Sequence, residues 1–140
     1  MTRLRQADAA DAPALVALWE ACGLTRPWND AAADLARALG FDGSTVFVVE
    51  MDSQIVASAM TGYDGHRGWV YYLAVAPGHR KQGLARRLLT ACEAWLAALG
   101  CPKVELMVRD GNPDAAAYEK LGWDPQPVRV FARWLGGQGT

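Results

Sequence analysis

The densest run of chemically useful residues is Arg80-Lys81-Gln82-Gly83-Leu84-Ala85-Arg86-Arg87, preceded by the apolar stretch Leu73-Ala-Val75-Ala-Pro77. A strand that stops at Pro77, a short polar loop and a helical pattern from Gly83 put this run at the head of a helix. Helix N-termini carry N–H groups without intrahelical acceptors and a partial positive charge, which suits a phosphate. Gly83 and the small Ala85 let the backbone approach an anion with no side chain between them. Arg80, Lys81, Arg86 and Arg87 add cations at the same place. The chemistry predicted is a cradle for a pyrophosphate. A glycine-started helix with a solvated basic turn has the same pattern, and spacing alone leaves both readings open.

The elements that must position this run are legible around it. Leu15, Leu18, Trp19 and Cys22 recur at helical spacing over Asp11 to Cys22, and Gly23 ends the pattern. Asn29 is a good N-cap for a second helix reaching about Leu39. Thr45 to Val49 and Gln54 to Met60, joined by a polar turn, read as a β-hairpin. Trp69 to Val75 is an apolar strand. Leu84, Leu88, Cys92, Trp95 and Leu99 form one helical stripe over Gly83 to Leu99. Val104 to Val108 predicts another strand, Pro113 to Leu121 a short helix and Val128 to Trp134 a last strand. This order is mixed α/β.

Composition limits what such a fold does. At 140 residues the chain makes one domain, and 51% apolar residues with thirteen aromatics supply a core. Fourteen Lys+Arg against fifteen Asp+Glu give a net charge of −1, which argues against a nucleic-acid partner. No apolar run approaches the ~20 residues of a membrane span, and the charged N-terminal stretch has no signal-peptide character. Three cysteines without C-x-x-C spacing fit a reducing, cytoplasmic setting, and with His66 and His79 they make no metal site.

Val75-x-Pro77-x-x-Arg80-x-x-Gly83-x-Ala85 resembles the acyl-CoA-binding motif of the GNAT superfamily of N-acetyltransferases. Asn112…Tyr118-Glu119-Lys120-Leu121-Gly122-Trp123 resembles that family's second signature, in the same order along the chain, and the likeness covers nearly all 140 residues. Leu24-x-Arg26-Pro-Trp28-Asn29-Asp30 and Tyr63-Asp-Gly-His66-Arg-Gly68 further resemble a YpeA-like bacterial subgroup. The resemblance implies a mostly antiparallel sheet that splays between its fourth and fifth strands, flanked by about four helices. It implies a single domain over residues 1–135 and a flexible tail over 136–140.

It also implies roles. Acetyl-CoA, as co-substrate and without a metal, would lie along Leu73 and Val75, with its pyrophosphate on the amides of Lys81, Gln82, Gly83, Leu84, Ala85 and Arg86, near Arg80. Asn112 would be a further contact, although it stands one residue closer to Tyr118 than the family's commonest spacing. Tyr118 matches the family's general acid, protonating the departing thiolate. The two places where members carry a carboxylate base hold Trp69 and Met107. Glu105 lies on the strand face of Met107 and is the remaining carboxylate, with Tyr71 and Tyr72 as holders of water. Arg26, Trp28, Asn29, Tyr63 and His66 map to the acceptor entrance, together with Asp30 and Asp64. A small-molecule, peptide or protein amine is the implied acceptor. A homodimer is compatible with this reading. A GNAT fold that binds acyl-CoA without turnover stands as the alternative.

Overall fold

Residues 44–75 are rich in β-branched and aromatic side chains, and they build the centre of the sheet. The computed structural model describes residues 1–137. Strand β2 (Ser44–Met51) pairs antiparallel with β3 (Gln54–Tyr63), and β3 pairs antiparallel with β4 (Gly68–Val75). On one edge β1 (Thr2–Gln6) runs antiparallel to β2; on the other, β5 (Val104–Leu106) runs parallel to β4. The sheet order is β1-β2-β3-β4-β5.

Three helices cover the sheet. Helices α1 (Ala12–Ala21) and α2 (Ala31–Gly40) bury Leu15, Leu18, Trp19, Leu35 and Ala38 in a cluster with Val46, Val48 and Ala74. Helix α3 (Leu84–Ala98) buries Leu84, Leu88, Leu89, Cys92 and Leu96. Each large apolar side chain buried this way contributes roughly 1.5–3 kcal/mol. A Cβ on Gly68 would come within 2.7 Å of the Leu96 side chain and 3.0 Å of the Cys101 sulfur, so a larger residue there would have to displace them. Residues 1–106 form one compact unit. The second, from Met107 onward, contains helix α4 (Asp114–Lys120). Among the described residues no helix is long and apolar enough to cross a membrane.

Several sequence expectations are corrected. Strand β1 has no counterpart among those expectations: it carries no hydrophobic alternation, and its order comes from pairing with β2. Asp30, not its neighbour Asn29, caps α2, accepting from the Ala33 N–H at 3.0 Å. The buried stripe of α3 runs through Leu89 and Leu96, and Leu99 is exposed. The strand expected to Val108 stops at Leu106, and Val128 to Trp134 forms no strand. A β-prone run becomes a strand only where a partner edge meets it, and no ladder pairs with this one among the described residues. Of the tail expected over 136–140, residues 138–140 lie outside the described residues.

A charged knot ties β1 to the entry of α1. The Arg5 guanidinium donates to both carboxylate oxygens of Asp11, at 2.8 and 2.9 Å, and to Glu50 on β2. Asp11 also accepts from the Asp8 N–H at 2.9 Å. The bonds from Arg5 first, and that from Asp8, hold the Asp11 carboxyl below its usual range, outweighing the opposing effect of burial. A depressed native pKa contributes stability above the unfolded value, and that contribution disappears as pH falls through the native one. Asp11→Asn is expected to lower stability by about 1–2 kcal/mol at neutral pH. Urea unfolding of both proteins from pH 7 to pH 2 should show the gap closing in acid.

Candidate active site

The site begins with an irregularity in β4. Its register against β3 shifts between Ser58 and Met60, and Tyr72 takes a left-handed φ of 51°. Three partners hold it there. The Tyr72 ring stacks on Trp19 at 4.0 Å between centroids, its hydroxyl donates to Asp34 at 2.7 Å, and its carbonyl accepts from the Ser58 hydroxyl at 2.9 Å. Ser58 in turn accepts from the Trp19 indole N–H at 2.8 Å. Burial, then Asp34, push the Tyr72 phenol well above its ordinary range. The bulge puts consecutive tyrosines on one face: Tyr72 enters the core under α1 and α2, while Tyr71 stays exposed and stacks near Trp69, 6.4 Å away.

That face carries an open groove of about 450 Å³, with Phe41, Asp42, Tyr63, Asp64, Trp69 and Tyr71 in its walls. The Asp64 carboxylate accepts from the N–H groups of His66 and Arg67, both at 2.8 Å. These bonds, Arg67 first, and a bond with Trp69 hold it below the ordinary carboxylate range. Burial, then Asp64, raise the Tyr71 phenol. The groove adjoins the end of a short ladder: β4 and β5 pair from Gly68↔Val104 to Val70↔Leu106, where β5 ends, and Tyr71 is the first β4 residue beyond. Glu105 faces Trp69 in that register and stands 4.0 Å from the Arg67 guanidinium.

At the far end of β4 lies the predicted cradle. A 3-10 turn at Pro77–His79 leads to Lys81 at φ 63° and Gly83 at φ 78°, and α3 follows directly. No side chain caps α3, and its first bond runs from the Arg87 N–H to the Gly83 carbonyl at 3.1 Å. The N–H groups of Leu84, Ala85 and Arg86 therefore have no acceptor within the helix. A Cβ on Gly83 would meet nothing within 4 Å, so the space in front of these donors is open. Lys81, Gln82 and Arg86 are exposed around it. The donor set fits a phosphate. Arg80 is partly committed elsewhere, donating to the Val75 carbonyl at 3.1 Å. That carbonyl also accepts from the Cys22 thiol at 3.4 Å.

Other predicted residues serve the backbone. Arg26 donates to the carbonyls of Gly23 and Thr25, both at 2.8 Å, and the Asn29 N–H donates to the Arg26 carbonyl. Of the seven expected acceptor residues the groove wall includes Tyr63 and Asp64, but not Arg26, Trp28, Asn29, Asp30 or His66. In the second unit, Asn112 accepts from the Asp114 N–H at 2.8 Å at the head of α4. Tyr118 is half-buried on that helix, and burial, then Asp114 one turn earlier, push its phenol above the ordinary range. Met107 is 53% exposed. No group of three or more His, Cys, Asp or Glu suited to a metal occurs among the described residues.

Residues 12–123 match the Acetyltransferase (GNAT) family. The chain belongs to that family. It is accordingly an acyltransferase. An acetyltransferase of Pectobacterium atrosepticum is 47% identical over 115 residues, 81% of this chain and 82% of that one. One from Yersinia pestis is 45% identical over 134 residues, 95% of this chain and 94% of its own. The fold resembles that of the aminoglycoside acetyltransferase AAC(6')-Iy in complex with a CoA bisubstrate analog. That structure has a TM-score of 0.83 at 19% identity, covering 96% of this chain and 99% of that one. A predicted acetyltransferase from Clostridium acetobutylicum, solved with acetyl-CoA, gives 0.79 at 18% identity, covering 95% and 96%.

Sequence reasoning missed Phe41 and Asp42 in this acetyltransferase. They follow α2 directly after Gly40, and nothing in their spacing marks them; the fold of the sheet brings them to the groove. The bulge itself rests on Ser58, which is fully buried. Ser58→Ala leaves the Trp19 indole N–H and the Tyr72 carbonyl short of a partner. It should destabilise the fold by about 1–3 kcal/mol. A lower urea midpoint with an unchanged m-value is the expected measurement.

Proposed function

We propose that this chain transfers the acetyl group of acetyl-CoA to a primary amine by direct attack in a ternary complex. The observation that carries the reading is the uncapped start of α3, where open space faces three N–H groups without acceptors in the helix. In this reading the amides from Lys81 to Arg86 hold the diphosphate, with Arg80 alongside, and Leu73 and Val75 line the pantetheine path. Residues 1–135 work as one catalytic domain, and the three free thiols are compatible with a cytoplasmic setting.

Acetyl-CoA supplies an acetyl group activated as a thioester. The chain's task is to present an uncharged amine to it and to return a proton to sulfur. Tyr118 is the acid. Its raised pKa keeps the phenol protonated throughout the physiological range, so it has a proton to give. Glu105, paired with Arg67, is a secondary acceptor of the amine proton, and ordered water is the principal one. Asn112 has its side chain engaged at the head of α4 and contributes through that helix. The acceptor enters over the groove side, with Tyr63 in its wall and Arg26, Trp28, Asn29 and His66 in the surrounding loops. Small-molecule amines suit a groove of this size, as they do the aminoglycoside acetyltransferase whose fold it shares.

Thiol release from acetyl-CoA across a panel of amines tests the reading. Absence of turnover with every amine would count against it. Gly83→Glu should put a carboxylate in the diphosphate's place and weaken coenzyme A binding by about two decades, roughly 3 kcal/mol by calorimetry. Unchanged binding in the folded variant would remove the cradle assignment. Tyr118→Phe removes only a hydroxyl, so coenzyme A affinity should persist while kcat falls about 10²–10⁴-fold. A wild-type kcat would assign the thiolate's proton to water.

A further inference from the structure

The groove beside β4 has a chemical character that a bare amine site does not need. Trp69 and Tyr71 present near-parallel rings, 17° apart, and Phe41 and Tyr63 add two more aromatic surfaces. Asp42 and Asp64 line the same groove, and neither is in an ion pair among the described residues. Asp64 is fixed in place by the backbone of His66 and Arg67, so its charge is preorganised. Aromatic faces and unpaired carboxylates attract a cation and disfavour a carboxylate or phosphate. The groove's volume, about 450 Å³, is several times what an ammonium group alone would fill. Tyr71, in its wall, is the first β4 residue beyond the β4–β5 ladder.

We propose that the groove binds a second cationic group of the acceptor, and that the acceptor is a flexible aliphatic diamine. One ammonium rests among the rings between Asp42 and Asp64. The methylene chain runs past Tyr71 and brings the other nitrogen to the unpaired stretch of β4 beyond the β4–β5 ladder. The inference rests on the acetyl-transfer reading for its chemistry, but the binding half is separable from it.

Two measurements decide it. In the first, kcat/KM is compared for 1,4-diaminobutane, n-butylamine and 4-aminobutyrate. The diamine should exceed the monoamine by about tenfold or more, as a charge pair with cation–π support implies, and the aminocarboxylate should fall below both. Asp42→Asn combined with Asp64→Asn should bring the diamine-to-monoamine ratio close to one. Asp42→Asn alone disturbs no hydrogen bond of the Asp64 turn and should lower the ratio part-way, which guards against a folding artefact in the double variant.

In the second, the Trp69 indole resonance, assigned by its loss in Trp69→Phe, is followed in nitrogen–proton spectra without acetyl-CoA. 1,4-Diaminobutane should shift it, and n-butylamine at equal concentration should not. Equal kcat/KM for diamine and monoamine would overturn the proposal while leaving acetyl transfer intact. A diamine-specific shift of Trp69 with no turnover on any amine would uphold the groove and remove the transfer reading. Absence of both the shift and the kinetic preference would overturn the groove.

Discussion

The architecture of the site depends on one held irregularity, the left-handed backbone of Tyr72 in the middle of β4. A bulky side chain in that conformation costs about 1–3 kcal/mol and persists only where its surroundings over-determine it. Here Trp19 from α1, Ser58 from β3 and Asp34 from α2 each hold a different part of the residue. Regular alternation would send one of Tyr71 and Tyr72 toward α3. The bulge instead keeps both on the face of α1 and α2, one closing the core and the other facing the groove. Core packing and site geometry are therefore set by the same four side chains.

The same economy explains where polar residues were used. Arg26 and Asn112 have the types expected of ligand-binding groups, yet each lies within reach of a local backbone group, and each bonds to it. Arg80 is shared in the same way with Val75. Backbone groups left over at turns and helix ends need partners, and the nearest side chain with the right chemistry supplies them. At the start of α3 the opposite holds. Gly83 offers no side chain, no neighbour provides one, and the donors face open space. The anion site proposed there is written as much by what the chain omits as by what it places.

The groove differs again, because its residues come from three separate connections. Phe41 and Asp42 follow α2, Tyr63 and Asp64 close β3, and Trp69 and Tyr71 belong to β4. Asp64 illustrates how a turn residue acquires a second use. Its carboxylate accepts from the two N–H groups of the hairpin loop, which fixes its position and keeps it ionised beside the aromatic rings.

By itself the sequence determined the parts governed by local rules. The helical periods of α1 and α3, the hairpin β2–β3 and the run Arg80-x-x-Gly83-x-Ala85 are short-range patterns, and motif order along the chain was enough to carry the family. Tertiary structure decided whatever depends on a partner far away in the chain. Polar β1 is a strand because β2 offers it an edge, whereas apolar Val128 to Trp134 meets no such ladder among the described residues. Ser58 reads as an ordinary strand residue until Trp19, thirty-nine positions earlier, donates to it. Phe41 and Asp42 read as the residues after a helix until the sheet carries them to Trp69. Periodicity and capping are properties of neighbours in sequence; ladders, bulges and groove walls are properties of neighbours in space, which one strand of letters does not specify.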